Sequence, residues 1–365
     1  MQLAWLFVNA GALVALLAWV YRRYALRGVG YARSFSRQTA YAGETVEMVE
    51  RIVNRKPLPL PWIRLESMMA EGLRFGEQRN LDIRSGSLFQ NHISLFSLRP
   101  YRQIVRRHRV LCAKRGYYRL DTATMTAGDP LGLVRVSRQF PLSVALDVYP
   151  EIVPLRDVPL PSHSWLGDLL VRRWIVEDPF LVSGVRDYVP GDPQRAVNWK
   201  ATARAGRLQV HRRDYTADHR LMICVNLETH DRMWNAVTEP ERIERALRYA
   251  ATIASNAIRQ GIETGFLTNG WTFGEAKAPV RLPPGGGEAQ LAALLTAMAR
   301  LQLETAVSMH TLLANEAALG PADTDYLIVT CHRGAELSEA AEALRGLGNG
   351  VDWLVIPPEG GEGDA

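Results

Sequence analysis

Cysteine is scarce in this chain. Cys112, Cys224 and Cys331 are the only three in 365 residues. Three scattered thiols cannot staple a disulfide framework or build a zinc ribbon, and so sparse a count suits a reducing compartment. A phosphate loop is missing as well: the Pro-Pro-Gly-Gly-Gly run at 283–287 lacks the following Lys-Ser/Thr and does not come after a strand. No paired carboxylates or nucleophile–base spacing stand out. Cys331 and His332 are adjacent, but neighbours near a strand end point to opposite faces, so the two side chains should not meet. The composition, 47% hydrophobic and 22% charged, excludes a disordered, collagen-like or polytopic membrane chain. The length sets a prior of about two domains.

Charge is also missing from the start of the chain. Leu3 to Val20 is uncharged, and Asn9 is its only polar side chain. An 18-residue run of this kind reaches the lower end of what spans a bilayer. A cleaved signal peptide would need a basic residue before the run and small residues after it. Instead Tyr21, Arg22, Arg23, Tyr24 and Arg27 follow, which reads as an interfacial belt. The positive-inside rule then places the remainder in the cytoplasm, as a single-pass protein of the cell membrane. The anchor and its basic flank take up residues 1–27.

Charge of one sign is lopsided further on. Residues 21–150 carry 22 Lys and Arg against 10 Asp and Glu, whereas residues 221–365 carry 10 against 19. A basic front half suggests an anionic surface nearby. Residues 38–150 read as short strands bounded by Gly, Pro and Asn, hence an all-β, sandwich-like domain. Within it Arg102, Arg106, Arg107, Arg109, Lys114 and Arg115 form a cationic stretch. With the flank of the anchor, the basic residues of 22–119 predict contact with anionic lipid heads; nucleic acid is not expected, because no reading motif is present. Residues 151–185 are a Pro-rich connector expected to hold no regular element.

The densest signal runs through 186–213. Asp192 is a good N-cap, Pro193 suits the first helical position and Gly206 suits a C′ position, so a helix is expected over 193–205. On it Arg195, Trp199 and Ala203 share one face, and Lys200 and Arg204 a neighbouring one. Two readings stand. Trp199 fills a core while the arginines pair with Asp187 or Asp192 to lock a domain junction. Alternatively, the cations and Trp199 dock an acidic peptide or a phosphate.

Residues 214–357 alternate strand and helix. The segment 220–227 is a buried strand. Pro240 and Gly261 bracket an amphipathic helix with Ile243, Leu247, Ala250, Ala254, Ala257 and Ile258 on its apolar face. A strand at 263–270, a hairpin at 271–282, a loop at 283–287, helices at 288–301, 305–318 and 335–346, and strands at 325–330 and 351–356 follow. This implies a doubly wound, mainly parallel sheet. Residues 358–365 are expected to be a flexible tail.

The pattern Tyr188-x-x-Gly191-Asp192-x-x-Arg195-x-x-x-Trp199-Lys200-x-x-Ala203-Arg204 resembles the signature of the domain of unknown function 58 family. PLPW at 59–62, RGYYRL at 115–120, GDPLGL at 128–133, VYPEIVPL at 148–155 and LPPGGG at 282–287 extend the likeness over nearly the whole chain. The resemblance implies a membrane-anchored β domain followed by a von Willebrand factor A-like domain. It also implies association with a MoxR-type AAA+ ATPase and, often, a transglutaminase-like membrane protein. The expected role is a non-enzymatic scaffold or adaptor, with docking residues Arg186, Tyr188, Gly191, Asp192, Arg195, Trp199, Lys200 and Arg204. A metal-dependent adhesion domain and an enzyme with an unrecognised site are the alternatives. A-like domains often hold Mg²⁺ after the first strand; the matching positions here are Asn226, Glu228 and His230, and the later strand brings Thr-Cys-His where an Asp would stand. With the second carboxylate gone and hard cations preferring oxygen, no metal and no cofactor are expected.

Overall fold

The computed structural model describes residues 2–75, 81–85, 89–160, 177–189, 197–215, 220–230, 237–320 and 323–358. The chain divides into two units, Met1–Glu151 and Ile152–Ala365.

The first unit opens with α1 (Gln2–Tyr24), of which Trp5–Tyr24 is long and apolar enough to cross a membrane. Trp5, Leu6, Phe7, Val8, Leu13, Leu16 and Trp19 are exposed along it. Its C-terminal part is anchored: Leu17 packs against the core, Tyr21 is buried, and the Tyr21 hydroxyl donates to the Pro59 carbonyl at 3.1 Å. Ten strands follow: β1 (Val29–Phe35), β2 (Thr39–Tyr41), β3 (Thr45–Asn54), β4 (Leu60–Ala70), β5 (Leu73–Phe75), β6 (Leu81–Ser85), β7 (Phe89–Leu98), β8 (Gln103–Cys112), β9 (Gly116–Gly128) and β10 (Arg135–Tyr149). They form two sheets, β1-β3-β8-β5 and β2-β10-β9-β4-β7-β6. Strand alternation turns Val46, Met48 and Ile52 of β3 inward. They meet Leu120, Met125 and Leu146 of the facing sheet in two apolar clusters, so the unit is a two-layer sandwich. It begins at Val29, nine residues before the expected start at 38, because the basic flank leads straight into β1.

The second unit carries β11 (Glu177–Asp187), α2 (Trp199–Ala205), β12 (Gln209–Tyr215), β13 (Arg220–Val225), α3 (Pro240–Arg259), β14 (Glu263–Thr268), β15 (Gly270–Thr272), β16 (Val280–Gly285), α4 (Gly287–Arg300), β17 (Leu301–Thr305), α5 (Met309–Ala318), β18 (Thr324–Thr330), α6 (Ala335–Gly346) and β19 (Val351–Val355). A five-stranded sheet has the order β16-β14-β13-β18-β19, parallel except for its edge strand β16. Met222, Cys224, Tyr326 and Ile328 pack under α5 and α6, while α3 packs against β13, β14 and β18. The six apolar positions read from the sequence of α3 are all buried.

Four expectations are corrected. The segment 271–282 is not a hairpin: β15 pairs with β17, and β16 with β14. The 283–287 run is not a loop, because its first three residues finish β16 and Gly287, at φ 82, starts α4. The connector is not wholly irregular either, since β11 lies across its end and pairs with β12. The second of the paired helices begins at 309 rather than 305, the difference being taken up by β17. The tail from 359 onward lies outside the described residues.

Candidate functional site

The signature segment folds as a small module. β11 and β12 pair antiparallel, with Arg186 opposite Val210 and Asp187 opposite Gln209. Gln209 Nε2 donates to Asp187 Oδ1. The Gln209 amide donates to Thr202 Oγ1 at 2.9 Å, and the Asn198 amide donates to the Gln209 carbonyl at 2.8 Å. Asn198 Oδ1 then accepts from the Ala201 amide at 3.0 Å, capping α2, which Gly206 ends at φ 66 in the left-handed region. Val197 still bridges to Val210 as extended chain. Among the described residues the helix starts at Trp199 with Asn198 as its cap, and the expected start at Asp192-Pro193 falls outside them. Gly191, Asp192 and Arg195 lie outside the described residues. Asp187, Asn198, Thr202 and Gln209 are the residues that hold the module; sequence reasoning singled out only Asp187 among them, as a partner for arginine.

Sequence reasoning allowed Trp199 to be a core residue. It is 68% exposed, and α2 has no buried residue at all. Lys200, Ala203 and Arg204 are exposed beside it, and Tyr188 is half-buried. Arg186 sits on β11. Asp187 is paired by Arg207 at 3.1 Å, with both side chains exposed. The short helix thus presents an indole and two cations to solvent on a backbone fixed by Asn198 and Gln209.

A second constellation lies at the carboxyl ends of β13 and β18. These are the strands beside which the sheet order turns, where open α/β sheets bind ligands. Asn226 is fully buried and bonded on every side. Its Nδ2 donates to Thr330 Oγ1 at 3.1 Å, and its Oδ1 accepts from Asn269 Nδ2 at 3.1 Å and from the Glu228 amide at 3.0 Å. Asn269 Oδ1 accepts from the Leu227 amide at 2.9 Å, and Thr330 Oγ1 donates to the His332 carbonyl at 2.7 Å. Glu228 Oε1 accepts from the Met309 amide at 3.2 Å, and burial raises its carboxyl against that bond and the nearby His332 and His310. His332 Nδ1 lies 3.2 Å from the Glu228 carbonyl, so that nitrogen carries the proton. His230 is exposed.

This donor set does not fit a hard divalent cation. The Asn226 amide is committed to three hydrogen bonds, and Glu228 is the one carboxylate among the three expected positions. Among the described residues no group of three His, Cys, Asp or Glu side chains could hold a metal ion. Nor does Cys331 form a dyad with His332: its thiol is buried and pushed up to about 11 by that burial, while His332 faces a carbonyl.

Residues 184–345 match the profile of the family described as Protein of unknown function DUF58, which supports the likeness drawn from Tyr188 to Arg204. The chain is 22% identical over 267 residues to the uncharacterized protein YeaD of Bacillus subtilis; the aligned part is 73% of this chain and 62% of that protein. The chain therefore spans less than two thirds of that relative. Solved structures similar to part of it include a cohesin module from Clostridium perfringens, 11% identical over 31% of this chain and 97% of that one, with a TM-score of 0.20. A cohesin from Archaeoglobus fulgidus is 12% identical over 32% and 90%, with a TM-score of 0.22.

Proposed function

We propose that this chain is a non-enzymatic scaffold, held in the cell membrane by α1 with both units in the cytoplasm. Its α2 surface docks an acidic protein partner. The observation that carries this reading is the exposed Trp199 on a helix that buries nothing. An indole on a rigid, well-bonded backbone beside Lys200 and Arg204 has the composition of a binding hot spot. A MoxR-type AAA+ ATPase is the partner that the family likeness implies, and a transglutaminase-like membrane protein is a second. The second unit is read as a von Willebrand factor A-like domain whose metal position has been replaced by the neutral Asn226–Asn269–Thr330 network. The basic flank after α1 supports the cytoplasmic orientation.

The test is capture of the ATPase by the full chain and by Lys200→Glu and Arg204→Glu. Both residues are exposed, so stability should change by less than about 0.5 kcal/mol. Capture should weaken, and the difference should shrink as salt rises. Undiminished capture by both variants would remove the docking role.

A further inference from the structure

The end of the sandwich that receives α1 is built from four connections. They are the α1–β1 turn at 25–28, the β3–β4 link at 55–59, the β7–β8 link at 99–102 and the β9–β10 link at 129–134. Strand register puts them together: Val29 pairs with Asn54, Leu60 with Leu98, Val53 with Gln103 and Gly128 with Arg135. Hydrogen bonds tie them to one another. Lys56 Nζ donates to the carbonyls of Ala25 and Arg27. Asn54 Nδ2 donates to the carbonyls of Leu58 and Arg99 at 3.0 and 3.2 Å, and Trp62 Nε1 to the Asp129 carbonyl at 3.0 Å. With Tyr21 bonded to Pro59, α1 leaves this end as a rigid extension.

What this end presents is one-sided. Arg27, Arg55, Arg99 and Arg102 are exposed on it, and Arg22 and Arg23 are exposed on the last turn of α1. The four connections hold one acid, Asp129, and it is turned inward: it is 1% exposed, with its carboxylate accepting from the amides of Leu131 at 3.1 Å and Val134 at 2.6 Å. That internal capping closes a tight turn around Gly132 at φ 75 and pushes Leu131 and Leu133 out, 57% and 64% exposed. Tyr101, 68% exposed, stands on the neighbouring link at φ 50, a left-handed conformation uncommon for tyrosine.

We propose that this end is a membrane seat. The β9–β10 turn inserts Leu131 and Leu133, and Tyr101 sits at the headgroup level. Arg27, Arg55, Arg99 and Arg102 meet the phosphates of an anionic phospholipid surface, the same bilayer that α1 enters. Charge complementarity and continuity with the apolar helix select this occupant: protruding apolar side chains ringed by arginine, with the local acid hidden, match the boundary between headgroups and acyl chains. The proposal rests on the reading of α1 as a membrane span. It also revises the basic patch inferred from sequence. Arg99 and Arg102 belong to the seat, Arg106 and Arg107 pair with Glu50 and Glu47 along β8, and Lys114 lies at the far end of the sandwich.

The native thiols are all buried, so an added cysteine can be labelled selectively. The experiment places a fluorophore on Leu133→Cys and, as the far-end control, on Lys114→Cys. Each full chain is reconstituted into phosphatidylcholine vesicles with or without phosphatidylglycerol, carrying a lipid with a quencher at the headgroup. The seat predicts quenching at 133 and not at 114, and loss of the 133 signal when phosphatidylglycerol is left out or when Arg55→Glu, Arg99→Glu and Arg102→Glu are combined. Equal signals at 133 and 114 in a chain that resists alkaline carbonate would overturn it. So would shielding of the 133 label from an aqueous quencher with no lipid quenching, which would mean that a protein covers this face. Extraction of the chain by carbonate would instead refute the span, and the 133 signal on vesicle-bound protein would then decide the seat by itself.

Discussion

The side-chain amide of Asn269 donates to Oδ1 of Asn226 at 3.1 Å, and both residues are fully buried at the carboxyl ends of adjacent parallel strands. The same Asn226 oxygen also accepts the Glu228 amide, and its amide nitrogen donates to Thr330. The position that could offer a metal an oxygen is occupied on each side by neutral partners. Magnesium added to the full chain should therefore leave its melting temperature unchanged. A saturable rise would show a native-state site, because binding to the native state must raise stability.

Asn226→Asp sharpens the point. The substitution removes the donor to Thr330 and sets a charge in a fully buried place. It should cost roughly 2–4 kcal/mol, more at pH 8 than at pH 5, as read by chemical denaturation. An Asp variant as stable as the parent would mean that the network contributes little.

The sandwich holds a buried ionic cluster that predicts acid sensitivity. Tyr31, Arg33 and His108 all donate to the Glu50 carboxylate, with His108 Nε2 at 3.0 Å, and Arg33 also reaches Ser67. Burial would raise the Glu50 carboxyl, but the His108 bond and the charges of Arg33 and Arg106 outweigh it and hold it far below the usual range. Beside them His92, buried against Phe75, is lowered to about 4, first by burial and then by Arg33. Both shifts have one sign: the unfolded chain binds protons that the folded chain refuses. Stability should fall as pH drops from about 6.5 towards 4, with His92 accounting for on the order of 2–3 kcal/mol. His92→Phe should flatten that slope between pH 7 and pH 5. An unchanged slope would place the sensitivity elsewhere.

Two sequence motifs meet at Gly128. A Cβ added there would lie 2.0 Å from the Val134 carbonyl oxygen and 2.4 Å from the Trp62 ring. Since backbone cannot give way cheaply, Gly128→Ala should lower stability by about 1–3 kcal/mol or more, measured by thermal melting. A neutral outcome would mean that the 59–62 and 128–133 segments do not pack as described.

How much was legible follows from how local each signal is. Helices α3 and α6 were readable almost to the residue, because Pro240, Gly261 and the apolar period are all carried by the segment itself. The start of α2 was not. Val197 is paired across to Val210, which helix spacing does not show, and Asn198 then caps the turn, whereas Asp192 and Pro193 lie outside the described residues. Strand β11 was hidden in proline-rich sequence because its support comes from β12. The Glu50 cluster was invisible for the same reason, being gathered from β1, β3, β4, β7 and β8. Spacing put Trp199, Lys200 and Arg204 on adjoining helix positions correctly, yet it could not say whether the indole faced a core or water.

Trp199→Ala tests the central claim most directly, with melting temperature and ATPase capture read on the same full-length preparation. An exposed recognition indole predicts a melting temperature close to the parent's, within the roughly 0.5 kcal/mol expected of a surface change, together with lost capture. A fall corresponding to roughly 3–5 kcal/mol, as for a buried aromatic, or full capture at unchanged stability, would contradict the account.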